Sequence, residues 1–332
     1  MLYSAFGLGI AASHELPRLA GVPKAERIDV RLELNARPPW FTDSMPATVI
    51  NDSPFTDEDG VPMRTLRELA NGWLRVSYVD GTDFILNREG SEVWATWPSP
   101  MTVDEMSSYL LGPVMGFLLR LRGRICLHAS SIVAGGRAMA VAGPSEAGKS
   151  TTAAAFAARG HAILSDDVVP LAESAGGFDV LPGYPRVRLW PSSLNALASL
   201  DPSVPVLPPD WGDRRYHLDI QRQGYTFQSQ PVPLGAIYVL QPRVDSDDAP
   251  YVTPLTGEEG VMALVTNSFA STLIDRAMRA QEFDAWIRVL ERVRIRAVRP
   301  HADPKYLPRL CDVILEDFLT TADADRTPAV VC

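Results

Sequence analysis

The sequence predicts an α/β protein with a β-rich N-terminal lobe, and three observations support this. Apolar residues alternate over 27–34, and short apolar runs follow at 74–79, 83–86 and 92–97, which is typical of strands in an antiparallel sheet. A strand, a glycine-containing loop and an alanine-rich helix follow one another over 137–158. Two late segments, 283–293 and 307–318, carry apolar residues at helical spacing and are predicted to be core-packing helices.

These patterns divide the chain into four parts. Residues 1–100 form the β-rich lobe, 101–123 a connecting helix, 124–320 the catalytic domain and 321–332 a tail. Thr102 and Glu105 have the spacing of a capping box, which starts the connecting helix. Its apolar stretch is shorter than the about 20 residues that cross a membrane, so we expect it to be buried. Four prolines predict a surface loop over 201–212.

Charge and cysteine content narrow the function classes. The net charge of −9 excludes a broadly basic nucleic-acid-binding surface. Cys126, Cys311 and Cys332 have no paired spacing, so we predict neither a disulfide framework nor a zinc site. The N-terminus lacks a basic segment followed by an apolar core, so we expect no signal peptide. We therefore expect a cytoplasmic protein that binds neither membranes nor nucleic acids. The sequence leaves open whether it forms homo-oligomers.

The residues at 143–150, GPSEAGKS, match the pattern G-x-x-x-x-G-K-[ST]. Glycines let the backbone wrap closely around phosphate, and the following helix adds the positive end of its dipole. Lys149 would contact the β- and γ-phosphates, Ser150 would ligate Mg²⁺, and Thr151 would lie near the α-phosphate. The predicted ATP-binding residues are Gly143, Pro144, Ser145, Glu146, Ala147, Gly148, Lys149, Ser150 and Thr151.

Two adjacent carboxylates, Asp166 and Asp167, follow the short apolar run 162–164. We expect them to emerge at the carboxyl end of that strand, beside the phosphate site. One carboxylate could hold Mg²⁺ while the other accepts the proton of an attacking hydroxyl. The alternative is a turn or helix-capping pair, which Asp-Asp often forms.

Several basic residues could contribute to the same site. Arg186, Arg188, Arg214 and Arg215 could neutralise charge on a transferred phosphoryl group, or could form surface ion pairs. His161 and His217 are predicted to be structural. His128 is predicted to lie at the end of a strand, and a single histidine in that position is more often structural than catalytic.

The spacing of these residues resembles the catalytic core of the HPr serine kinase/phosphorylase family. His128 precedes Gly143 by fifteen residues, Arg159-Gly160-His161 closes the helix, and Asp166 follows Lys149 by seventeen. The segment is also similar to the kinase-like proteins encoded with lasso-peptide and other ribosomal-peptide biosynthesis genes. A hairpin before the loop is a feature of phosphoenolpyruvate carboxykinases. The resemblance therefore implies an HPr-kinase/PEP-carboxykinase-like P-loop core.

This resemblance also implies roles for residues. Asp166 would be the general base, Asp167 and Ser150 would lie near Mg²⁺, and His128 would lie with Lys149 near the transferred phosphate. Arg186 and Arg188 are candidates for phosphate or acceptor contacts. The HPr enzymes carry a Glu-x-Arg-Gly stretch, whereas 184–188 has no acidic residue, so reverse phosphorolysis is left open.

The implied activity is ATP-dependent transfer of the γ-phosphoryl group to a Ser or Thr hydroxyl of a peptide or protein, with a lasso-type precursor peptide as the expected acceptor. Two alternatives share the same core: a small-molecule kinase, and an ATP-binding regulatory or scaffold module without efficient transfer. The sequence assigns neither the acceptor, nor the oligomeric state, nor the role of the N-terminal lobe. It also does not fix which aspartate is the base.

Overall fold

The structure, a computed structural model, describes residues 1–198, 200–205 and 215–324, with side chains up to residue 320. Most of the predicted loop 201–212 and most of the predicted tail 321–332 lie outside these residues. The chain forms two compact units: Met1–Cys126 with Phe269–Gln281, and Leu127–Ser268 with the described residues from Glu282 onward. The first unit contains the predicted lobe and the predicted connecting helix.

The first unit is built on a mixed sheet of eight strands in the order β1-β2-β3-β8-β7-β6-β5-β4. The strands are β1 Leu2–Ala5, β2 Leu8–Ala12, β3 Val30–Leu34, β4 Ala47–Asp52, β5 Arg64–Leu69, β6 Leu74–Tyr78, β7 Asp83–Leu86 and β8 Glu92–Thr96. The expectation of a purely antiparallel sheet is wrong, because β3 pairs in parallel with β2 and with β8. The connection 35–46 leads from β3 to the far edge, so the meander β4–β8 returns with its last strand parallel to β3.

Helices α1 (Val103–Tyr109) and α2 (Met115–Leu121) follow the sheet. The capping box is present: the Thr102 hydroxyl accepts from the Glu105 N–H, and the Glu105 carboxylate accepts from the Thr102 N–H. The predicted continuous helix is interrupted by a π-helical turn at Leu110–Val114, because Pro113 lacks an N–H and Gly112 leaves helical geometry. Within the described residues, no helix is long and apolar enough to span a membrane.

The second unit contains a seven-stranded sheet in the order β10-β9-β11-β12-β15-β17-β16, in which β10 also pairs with β15. Strands β10, β9, β11, β12 and β15 therefore pair in a closed cycle, and β13 and β14 form a separate ribbon. The strands are β9 Ile125–Ala134, β10 Arg137–Ala142, β11 Ala162–Ser174, β12 Gly177–Val180, β13 Arg186–Leu189, β14 Tyr216–Asp219, β15 Val232–Leu240, β16 Tyr251–Leu255 and β17 Arg294–Arg299.

The remaining helices are α3 Lys149–Ala158, α4 Pro191–Ala198, α5 Gly257–Thr266, α6 Arg276–Arg292 and α7 Leu307–Ala324. Both late helices are confirmed as α6 and α7. Cys311, Ile314 and Phe318 of α7 are fully buried in the core of the second unit. In α6, Trp286 is buried as predicted, but Phe283 is exposed, so the buried face is rotated from the predicted one.

A β-hairpin precedes the glycine-containing loop, as predicted. Strands β9 and β10 pair antiparallel, and Gly135 and Gly136 form the turn with positive φ angles. Strand β9 is continuous over Ile125–Ala134, whereas the sequence pattern predicts two shorter strands, 124–128 and 131–133. Strand β10 also pairs in parallel with β15, so the hairpin is part of the closed strand cycle that carries the loop.

Candidate active site

The segment 143–148 joins β10 to α3 and has the backbone that its sequence predicts. Gly143 has φ +149° and Gly148, the N-cap of α3, has φ +107°. Side chains rarely adopt either conformation, so glycine is needed at both ends of the loop. A Cβ on Gly143 would also lie 3.1 Å from Cβ of Leu240, so the loop packs closely against β15.

The Lys149 side chain turns back over this loop. Its Nζ donates to the carbonyl oxygens of Gly143 and Pro144, at 2.9 Å each. Lys149 is buried, and this burial lowers the pKa of its ammonium group, against the opposing effect of the Asp167 charge. The two carbonyl contacts hold the Lys149 amino group at the loop, where the pattern predicts contact with phosphates.

Asp166 and Asp167 lie within strand β11, which continues to Ser174. The prediction that they follow the end of this strand is wrong. Adjacent residues of a regular strand point to opposite faces. Asp167 has φ +69°, which breaks this alternation, and both aspartates line the same cavity.

Asp166 is held by three donors. Its Oδ1 accepts hydrogen bonds from the Ser130 hydroxyl at 2.6 Å and the Ser150 hydroxyl at 2.9 Å. Its Oδ2 accepts from the backbone N–H of Arg188 at 2.9 Å. Asp166 is only 5% exposed, and burial raises its pKa despite these hydrogen bonds. The carboxylate is thus oriented by side chains from β9 and α3 and by the backbone of β13.

Asp167 has charged neighbours. His128 Nε2 lies 3.3 Å from its Oδ1, and Arg188 Nη1 lies 3.3 Å from its Oδ2. Burial raises the pKa of Asp167, but the hydrogen bond from His128 and the charge of Arg188 outweigh it and hold the pKa at about 2. The two adjacent aspartates therefore differ in pKa: that of Asp166 is raised by burial, and that of Asp167 is lowered by His128 and Arg188.

These side chains surround a cavity of about 630 Å³, within the usual range for small-ligand pockets. Its lining consists of His128, Ser145, Glu146, Gly148, Lys149, Ser150, Thr151, Asp166, Asp167, Arg188, Trp190, Pro191, Ser192, Ser193, Arg215 and Arg243. Of the other predicted site residues, Gly143 and Pro144 form the loop behind it, and Ala147 lines a neighbouring cavity.

Arg186 is not brought to the cavity. Its guanidinium pairs with Asp219, its cross-strand partner in the β13–β14 ribbon. Arg188, two residues later, does line the cavity. Both arginines were predicted to contact phosphate or acceptor, and only Arg188 is placed to do so. His161 packs edge-on against Phe156, with ring centroids 5.4 Å apart, as a structural residue would. Arg214 lies outside the described residues.

Other residues in or next to the cavity were not predicted. Ser130 binds Asp166, and Ser193 accepts a hydrogen bond from the Thr151 hydroxyl at 2.8 Å. Trp190 lies under the Arg215 guanidinium, 4.6 Å from its ring centroid. Arg243 follows β15 and lies near Gly148. No local pattern marks Arg243, because the chain brings it to the loop over a separation of about a hundred residues.

The residues present fit a magnesium–nucleotide complex. Lys149, Arg188, Arg215 and Arg243 supply positive charge for phosphates. Ser150, Asp166 and Asp167 supply hard oxygen ligands. Within the described residues, no group of three His, Cys, Asp or Glu side chains could hold a metal. Mg²⁺ is commonly bound by one or two carboxylates together with substrate phosphates, so this donor set suits a metal that arrives with the nucleotide.

Comparison with known proteins found similarity to solved structures only. No family model matches the chain, and no curated protein matches it. The Hpr(Ser) kinase/phosphatase from Coxiella burnetii is similar over 60% of this chain and 94% of its own, with 12% identity and a TM-score of 0.35. At these values, function is inferred from the geometry of the cavity and not from the similarity.

Proposed function

We propose that the protein is an ATP- and Mg²⁺-dependent kinase with an HPr-kinase-like P-loop core, which transfers the γ-phosphoryl group to a hydroxyl. The main support for this proposal is the contact between the glycine-containing loop and the Asp166 carboxylate. The Ser150 hydroxyl lies 2.9 Å from Oδ1 of Asp166, and Lys149 and Arg188 line the same cavity. Phosphoryl transfer requires positioning and charge neutralisation more than covalent catalysis. This cavity offers both.

In this proposal Asp166 is the general base. Its raised pKa suits a group that accepts a proton from a hydroxyl. Asp167 stays anionic, and with Ser150 would hold Mg²⁺, which neutralises charge on the phosphates. Lys149 and Arg188 would stabilise the charge that develops on the transferred group. His128 would orient Asp167, and both residues line the cavity.

The acceptor that we propose is a Ser or Thr hydroxyl of a peptide or protein, with a ribosomally made, lasso-type precursor as the first candidate. This part rests on the sequence resemblance alone. A small-molecule hydroxyl would meet the same catalytic groups. An ATP-binding regulatory module is the remaining alternative, in which the cavity binds nucleotide without an acceptor reaching Asp166.

Incubation with γ-labelled ATP, Mg²⁺ and candidate precursor peptides tests the proposal. Label should reach a peptide with the wild-type protein and fail to do so with Asp166→Asn. Asp284→Asn, an exposed position on α6, is the matched control and should transfer at the wild-type rate. Stoichiometric ATP binding without label on any acceptor and without ATP consumption would overturn the kinase proposal in favour of the regulatory module.

A further inference from the structure

A second, smaller cavity of about 120 Å³ adjoins the first. The two cavities share five lining residues from the loop, α3, α4 and the segment after β15: Gly148, Thr151, Ser192, Ser193 and Arg243. The rest of the second cavity is lined by Ala147, Thr152, Ala196, Pro300, His301, Ala302, Asp303, Pro304, Tyr306, Leu307 and Leu310. A single elongated ligand could therefore occupy both cavities past Thr151.

The second cavity differs chemically from the first. Its wall is mainly apolar and aromatic, whereas Lys149 and the two aspartates line only the first cavity. The rings of His301 and Tyr306 stack with centroids 3.9 Å apart and planes 24° apart. His301 is fixed further, because its Nδ1 accepts from the backbone N–H of Asp303 at 2.9 Å. A rigid aromatic wall of this kind suits a flat, weakly polar group and not a phosphate.

The order of the loop residues gives the direction of the ligand. Lys149 and Ser150 are at the β- and γ-phosphate end, where Asp166 lies, and Thr151 is predicted to be near the α-phosphate. The nucleoside is attached to the α-phosphate, so it would extend from the first cavity past Gly148 and Thr151. Both of these residues also line the second cavity. Ser192 and Ser193 line both cavities at this boundary, where a ribose would pass.

We propose that the second cavity binds the nucleobase of the nucleoside triphosphate, between α4 and the His301–Tyr306 pair. This rests on the proposed function, because it takes the first cavity as the triphosphate site. Asp303 supplies a carboxylate that accepts from the Lys305 N–H at 2.9 Å and pairs with the Lys305 ammonium at 2.7 Å. A carboxylate has further acceptor sites, so Asp303 could also accept from an exocyclic amino group of the base.

The test compares the binding of ATP with that of tripolyphosphate, which has the phosphates and no base. Ala196→Phe places a large side chain in the second cavity only, and Asn195→Phe, exposed on the same helix, is the matched control. With Ala196→Phe, we expect ATP affinity to fall by at least about tenfold, as for loss of a stacked base. Tripolyphosphate affinity should stay within about twofold of wild type. Asn195→Phe should change neither.

A second variant, Tyr306→Ala, removes half of the aromatic pair and should lower the affinity for ATP and not for tripolyphosphate. Circular dichroism of each variant confirms folding. Equal loss of both ligands, or unchanged ATP affinity with Ala196→Phe and Tyr306→Ala, would overturn the nucleobase assignment while leaving the kinase proposal in place. If neither ligand binds the wild-type protein, the triphosphate site itself, and with it the proposed function, is wrong.

Discussion

The Ser150 hydroxyl donates a 2.9 Å hydrogen bond to Oδ1 of Asp166, which joins the end of the glycine-containing loop to the long strand β11. Ser130 on β9 donates to the same oxygen at 2.6 Å. Three elements that are separate in sequence therefore meet at one carboxylate. The predictions that follow concern this junction and the residues around it.

Replacing Asp166 with Asn removes the carboxylate while keeping its shape. We expect phosphoryl transfer to fall about 10²- to 10⁴-fold, the usual range for loss of a general base. ATP affinity should change much less, because Lys149 and the loop backbone remain. Rates of label transfer and equilibrium ATP binding check both parts. If Asp166→Asn transferred label at the wild-type rate, Asp166 would not be the general base.

Ser130 is predicted to position Asp166. Ser130→Ala removes one of its hydrogen bonds, typically worth about 1 kcal/mol, so we expect kcat to fall about fivefold with KM for ATP unchanged. Ser131→Ala is the matched control: Ser131 is equally buried, but its hydroxyl bonds to the Ser165 carbonyl at 3.4 Å. If both variants lower kcat alike, the effect of Ser130 is general to the strand and not specific to Asp166.

Arg186 and Arg188 are predicted to act differently although they are two residues apart. Arg188→Ala should lower the rate of transfer at least about tenfold, because its guanidinium lies in the cavity 3.3 Å from Asp167. Arg186→Ala should instead lower the free energy of unfolding by about 1–3 kcal/mol, because it leaves Asp219 without its cross-strand partner Arg186. Transfer assays and urea denaturation separate the two effects. The opposite pattern would contradict the structure.

Gly183 leaves no room for a side chain beside Ser165. A Cβ there would lie 2.3 Å from the Ser165 Oγ, and the Gly183 N–H donates to the Leu164 carbonyl. Gly183→Ala should lower the free energy of unfolding by about 1–3 kcal/mol. Gly176→Ala, where a Cβ would meet nothing within 4 Å, should have little effect. Urea denaturation of both variants measures the difference, and equal stabilities would contradict the close packing.

The Cys311 thiol should be unreactive in the folded protein. Burial raises its pKa from 9.0 to about 11, so the thiol stays protonated at pH 8. The stability that the protonated thiol contributes is complete below about pH 9 and is lost as the pH rises from there through 11. At pH 8, iodoacetamide should modify Cys311 only after denaturation in urea. Mass spectrometry of the tryptic peptides measures this. Rapid modification of the native protein would show that α7 opens readily.

Features fixed by local chemistry could be predicted from the sequence. The loop 143–150 was, because Gly143 and Gly148 need conformations that few other residues adopt. The hairpin before it and the capping box at Thr102 follow from short-range patterns in the same way. The convergence of the loop with Asp166 was expected from the motif spacing, whereas the catalytic roles of these residues remain predictions.

Features that depend on distant contacts could not be predicted. The end of strand β11 was predicted too early, because the polar pair Asp166-Asp167 interrupts an apolar run that resumes at Val168 and Val169. Arg243 reaches the cavity only because β15 pairs with β10, a contact without a local signal. Arg186 and Arg188 have the same spacing pattern, and only the presence of Asp219 across the ribbon separates them.

The left-handed residue in β11 has a consequence for motion during turnover. Asp166 and Asp167 are neighbours along one continuous strand, so a single peptide unit fixes the distance between their backbones. In sites where two carboxylates come from separate loops, domain closure can change their spacing. Here the two Cα atoms keep a constant separation, and the carboxylates can change their spacing only by rotation of their side chains. Such rotation would break the hydrogen bonds of Asp166 to Ser130 and Ser150, or the contacts of Asp167 with His128 and Arg188.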